Sequence, residues 1–247
     1  MSADPDRWPA LPYAAWADTA ATLQLWTQIV GKIRLALTPW LNHSWHVTLY
    51  VTARGLSTGP IPYDARTLQI DFDFIDHVLW LRVSDGQFHQ IMLKPTPVAE
   101  FYADVMIALK ELGIAAAIRP VPCEIPNCIP FDEDTVHAAY DADAAQRFWR
   151  VLLAAHDVMA HFRTGFLGKT SPVHFFWGSF DLAVTRFPGA ARRRTPAACR
   201  ICLTRWRARP IRMRCRAPAS GRAAALSTIR PSIPTPIQRR KALPRPR

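Results

Sequence analysis

The stretch Gly168–Phe187, GKTSPVHFFWGSFDLAVTRF, is the most aromatic run of the chain and decides how the rest is read. From Val173 onward its β-branched and aromatic content favours a strand over a helix. Strict alternation would mix Val173, Phe175 and Trp177 with Ser179 and Asp181 on one face. A one-residue bulge at Gly178 removes the conflict. Val173, Phe175, Trp177, Phe180, Leu182 and Val184 then share a dry face, and His174, Ser179, Asp181 and Thr185 a polar one. The lead-in, Gly165 to Pro172, contains a Gly-Lys-Thr like the end of a phosphate-binding loop. Arg163 stands where that motif needs its first glycine, and a helical pattern precedes it where a strand is required. A helix-to-strand turn closed by Pro172 is the better reading, with Lys169 free to meet an anion.

Working outward, the apolar positions Leu23, Trp26, Ile29, Val30, Ile33 and Leu37 predict a helix over Trp16–Leu37, stopped by Pro39. Alternation predicts strands over Trp45–Val51 and Leu68–Phe74, and Val78–Val83 with Phe88–Leu93 read as a hairpin through Asp85-Gly86. Pro97 opens a second helix, with Val98, Phe101, Tyr102, Val105, Leu109 and Leu112 inward and Gly113 as its stop. Ile114–Ile118 reads as a short strand and Ala142–Arg163 as a third helix burying Phe148, Val151, Leu152, Ala155, Met159 and Phe162. The expectation is an α+β fold: a mainly antiparallel sheet of about six strands with three amphipathic helices, in the order αββββαβαβ, followed by a disordered tail.

The net charge of +12 hides two different halves. All 19 acidic residues and all 8 histidines lie in residues 1–187, which carry a net −5, whereas residues 188–247 contain 17 Lys and Arg and no acid. An α+β domain over 1–187 and a basic Arg/Pro/Ala-rich tail over 188–247 follow. With no N-terminal signal pattern and no apolar stretch long enough for a bilayer, a cytoplasmic location without membrane contact is expected. Cys199-x-x-Cys202 supplies half of a zinc site, but only Cys215 and no histidine accompany it in the tail.

Four motifs fall in order: Asn42-His43-Ser44-Trp45-His46, Leu49-Tyr50-Val51-Thr52-Ala53-Arg54-Gly55-Leu56, Asp71-Phe72-Asp73-Phe74-Ile75-Asp76-His77, and Ser171–Phe187. With them the chain resembles, from Leu11 to Phe187, the bacterial proteins grouped as domain of unknown function 5996, whose hallmark is SPVHFFWGSFDLA. The resemblance implies no activity. It does imply further strand and helix patterns after the hallmark, and here the sequence departs at Pro188. Arg, Ala and Pro make up 36 of the last 60 residues, as GC-rich codons read out of frame would give. A frameshift near codon 188 and a truncated domain are expected; a genuine arm binding nucleic acid through phosphate charge is the competing reading.

The polar sides of the predicted strands nominate a site. His174, Asp181 and His46 are the candidate acid and base, or metal ligands oriented by a second carboxylate. Tyr50, Arg54, Asp71, Asp73, His77, His137, Lys169 and Trp177 are candidate ligand contacts, on the strands or at their ends. No residue is nominated as a metal ligand of a recognised motif, and the sequence leaves any cofactor open. The plain alternative is a sheet with one solvated face, and Asp132-Glu133-Asp134 reads as a solvated turn. Three functions remain open: a small-molecule or metal-binding pocket on the sheet, an interaction module using the aromatic run Phe175–Phe180, and nucleic-acid binding by the tail.

Overall fold

A computed structural model describes residues 7–187, and the expected disordered tail lies outside them. These residues belong to the first of two units into which the chain divides, Met1–Ala217. Helix α1, Ala17–Leu37, is buried on almost every side, including Leu23, Trp26, Ile29, Val30 and Ile33. The central sheet uses β1 (Tyr50–Val51), β2 (Gly55–Ser57), β3 (Ile61–Tyr63), β4 (Arg66–Asp73), β5 (Val78–Val83) and β6 (Phe88–Met92). All pairs are antiparallel, in the order β1-β2-β4-β5-β6, with β3 on the first half of β4 and β2 on the second. Leu68, Ile70 and Phe72 alternate into the core with Leu79 and Leu81 of β5, as period-two patterning requires.

Helix α2, Val98–Glu111, begins at Pro97 and ends in a Schellman motif: the N–H of Gly113 (φ 66°) donates to Lys110 and that of Ile114 to Leu109. Helix α3, Ala142–Thr164, is capped by the Asp141 carboxylate accepting from the Ala144 N–H at 3.0 Å. The helices meet at aromatic contacts; Trp26 of α1 stacks on Phe101 of α2 at 4.4 Å between centroids. The α+β class, the antiparallel six-stranded sheet and the three helices are as expected.

Three elements differ. Trp45–Val47 is not a strand but part of a 3-10 segment, Asn42–Val47, entered through left-handed residues His43 (φ 60°) and Ser44 (φ 57°). Its carbonyls are taken by side chains: that of Trp45 by the Thr48 hydroxyl, that of His46 by Arg34 and that of Val47 by Trp177, leaving none for a ladder. Ile114–Ile118 forms no strand; Ile114 closes the helix end and the Ala115 N–H donates to the Tyr63 phenol. The sheet reaches six strands through β2 and β3, which fill the region read as a turn.

The third difference is the hallmark run. Instead of one bulged strand it makes a hairpin, β7 (His174–Phe176) and β8 (Asp181–Ala183), around a turn at 177–180 in which Phe180 takes φ 55°. The register His174↔Ala183 and Phe176↔Asp181 still puts His174 and Asp181 on one face, with Phe175 and Leu182 on the other. Phe175 exchanges both backbone hydrogen bonds with Leu49 at 2.9 Å, so the hairpin continues the sheet beyond β1. The run is interior: Phe175, Trp177 and Phe180 are buried, against α3 through Phe148. Those aromatics are therefore not a surface for a partner.

Candidate functional site

The Leu49↔Phe175 bridge brings Tyr50 beside His174, with ring centroids 5.6 Å apart. The imidazole is 1% exposed and boxed by Trp45 at 5.8 Å and Phe176 at 5.8 Å. Among the described residues neither ring nitrogen of His174 has a hydrogen-bond partner. Burial, reinforced by the Arg34 and Arg163 cations, pushes its pKa down to about 4. The ring is neutral at pH 7, and an unpartnered donor and acceptor sit in an apolar box.

Arg34 completes the group, and sequence reasoning missed it. It lies four residues after Val30 and three before Leu37, on the apolar stripe of α1, where a cation is out of place. That misplacement was the available signal. Its Nε donates to the His46 carbonyl at 2.6 Å and its guanidinium stands 5.2 Å from the Tyr50 ring centroid. One terminal nitrogen is buried without a partner, and among the described residues Arg34 forms no ion pair. Burial holds its pKa below the usual guanidinium value, with Tyr50 opposing.

Asp181 is buried on the same face as His174 and accepts from the Ser179 hydroxyl at 2.6 Å. His46 is also buried, but its Nδ1 accepts from the Leu41 N–H at 3.3 Å and its ring packs on Trp40. Burial lowers its pKa, the Leu41 hydrogen bond opposes this and Arg34 assists. Trp177 serves as a tether, its Nε1–H donating to the Val47 carbonyl at 2.5 Å. Lys169 donates to His43 Nε2 at 3.1 Å and lies over Trp45 and Phe187, forming a rim to the box.

The remaining candidates do not join His174. Asp71 shares its face through Tyr50↔Ser57 and Ser57↔Asp71, but three strand spacings intervene, roughly 14 Å. It pairs instead with Arg82 at 2.9 Å and accepts from Gln69 on the partly wet face of the sheet. Asp73 and Arg54 hold the β4–β5 turn. The buried Asp73 carboxylate accepts from Arg54 at 2.5 Å and from the N–H groups of Ile75 and Asp76. Burial alone would raise its pKa, but the Arg54 and turn hydrogen bonds outweigh it and the net shift is downward. His77, at φ 52°, meets the Tyr140 hydroxyl at 2.8 Å, and His137 pairs with the fully buried Asp134 at 2.7 Å. The Asp134 carboxylate also accepts the N–H groups of Val136 and His137, so this carboxylate anchors a loop where solvation was expected.

Two shallow hollows, of about 280 Å³ beside Arg7 and Arg150 and about 350 Å³ beside Met106 and Ile114, border none of the His174 group. Among the described residues no group of three His, Cys, Asp or Glu could hold a metal ion, and no helix is long and apolar enough to cross a membrane. The sequence matches the model of a family of unknown function (DUF5996) over residues 8–206. No curated protein and no solved structure matches it.

Proposed function

The chain belongs to the family of unknown function DUF5996, so its role rests on the chemistry of these side chains, and we propose that it binds a small molecule at His174, between β1 and β7. One observation carries the reading: His174 and a terminal nitrogen of Arg34 are both buried, each beside the Tyr50 ring, and lack partners among the described residues. Each unsatisfied buried group costs about 1–3 kcal/mol, and folded proteins keep few without a use. A bound molecule supplies the missing bonds. His174 is then the hydrogen-bonding or proton-transferring group, Arg34 and Tyr50 the holding groups, with Asp181 on the same face and Lys169 at the rim. The Asn42–Val47 segment covers the box through Trp45.

The test is a thermal-shift screen of a metabolite library against the full chain and its His174→Ala variant. At least one compound should raise the Tm of the wild type and leave a folded variant unmoved. A variant that keeps every hit would sink the assignment.

The domain limits and the tail are part of the proposal. Residues 1–187 are the α+β domain, and the acid-free sequence after it derives from a shifted reading frame, supported by its Arg, Ala and Pro content. The family match runs on to residue 206, which moves the proposed break into the window 188–206. Nucleic-acid binding by the tail requires the frame to be genuine. The free thiols of Cys123 and Cys128 support a cytoplasmic location.

A further inference from the structure

Resting on that reading and narrowing it, we propose that the ligand presents an oxyanion, a carboxylate or a tetrahedral phosphate or sulfate group, gripped by Arg34 together with His174 in its protonated form. Arg34 spends its Nε on the His46 carbonyl and keeps a buried terminal nitrogen with no acceptor. A buried guanidinium without a counter-charge is costly, and its planar donor fork fits a carboxylate or phosphate edge. The charged groups around His174 are mostly cations. Arg34 reaches it from α1 and Arg163 from α3, and Lys169 lies over Trp45, which packs on the imidazole. Tyr50 of β1 brings a hydroxyl that hydrogen-bonds the Arg34 guanidinium, and Asp181 is the carboxylate on this face of the hairpin. Such a box repels a metal cation and favours an anion.

A neutral ligand would satisfy the imidazole and leave the guanidinium uncompensated. An anion answers both. By neutralising Arg34 it removes one of the charges that keep His174 neutral, and it gives the imidazolium an acceptor, so binding takes up one proton from solvent. In the free protein His174 titrates near pH 4. Affinity for a ligand of constant charge then falls about tenfold per pH unit between that value and the higher pKa of the complex.

The experiment uses the full chain with its histidine rings isotopically labelled. Sodium sulfate and sodium acetate are titrated between pH 5 and 7 at ionic strength matched with sodium chloride. The His174 ring resonances are read instead of total binding, because the arginine-rich residues 188–247 also collect anions. Sulfate or acetate should convert the His174 signals saturably to the imidazolium pattern, the better of the two identifying a tetrahedral or planar group. The apparent affinity for sulfate, whose charge is constant over this range, should weaken about tenfold from pH 5 to 6. Arg34→Gln should abolish the effect. Because Arg34 also holds the His46 carbonyl and its loss could unfold the segment, Arg34→Lys is the second variant: it keeps a cation without the planar fork and should convert the His174 signals only at higher anion concentration. If both anions leave His174 where chloride leaves it while a neutral compound from the screen moves it, the site stands and the anion class is wrong. If no compound moves it, both readings fail.

Discussion

The indole of Trp177 lies directly over Gly31, so close that a Cβ added at Gly31 would overlap the ring at Nε1, Cδ1 and Cε2. The same nitrogen donates to the Val47 carbonyl, so one contact sets α1, the 42–47 segment and the hairpin turn against each other. Mid-helix glycine is normally worth replacing: alanine gains about 1 kcal/mol in helix propensity. Here the overlap opposes that gain, because overpacking a filled site costs about 1–3 kcal/mol. Gly31→Ala should therefore lower stability in urea unfolding and shift Trp177 fluorescence. A more stable variant would mean that the indole is free to move and does not fix the segment.

Helix boundaries were legible because starts and stops are local: Pro97 and Gly113 each announce their own geometry. The central hairpins were legible from alternation. The 3-10 segment at Asn42–Val47 was not, since alternation in Trp45–Leu49 is outweighed by acceptors demanded from Arg34 and Trp177, which lie 12 and 130 residues from their partners. His174 could be singled out from the sequence together with Tyr50, Asp181 and Lys169, but nothing in it separated these from the candidates that lie elsewhere. Asp71 and Asp73 share its face yet stand strands away. Arg34 stands out on the apolar stripe of α1, but a lone cation there does not name the residues that it meets.

The Asp73 carboxylate should matter more for stability than its exposed partner. Asp73→Ala leaves the N–H groups of Ile75 and Asp76 without their acceptor at the β4–β5 turn, a loss of about 1–3 kcal/mol. Arg54→Ala should cost markedly less, because the guanidinium is half-exposed. Denaturant unfolding of both single variants and the double variant measures the difference. Equal losses would mean that the ion pair, not the turn, is what Asp73 supports.

A shifted frame leaves a trace in the nucleotide sequence. Translating the gene in all three frames across codons 180–210 should reveal, in another frame, a continuation containing acids and aromatics, joined to the frame of residues 1–187 between 188 and 206. Early stops in both other frames would make the basic arm genuine. A salt-dependent nucleic-acid assay, with and without residues 188–247, would then become the test of function.

Acid should destabilise the fold in a window set by its buried histidines. His174 titrates near 4 in the folded chain and near 6.5 when unfolded, so the unfolded state binds a proton first. Stability is full above the unfolded value and is lost as pH falls through the folded one, by about 3 kcal/mol for this residue. His46 and His156, also shifted down by burial, add in the same direction. Asp73, with its lowered pKa, withdraws its share only below the ordinary carboxylate range. Urea unfolding at pH 7, 5.5 and 4.5 should therefore give a steep decline in the wild type. His174→Gln should flatten that decline while lowering the starting value little, since glutamine brings its own polar group to the same box. A parallel decline in both proteins would show that His174 is not held neutral, and the proton uptake inferred for anion binding would lose its basis.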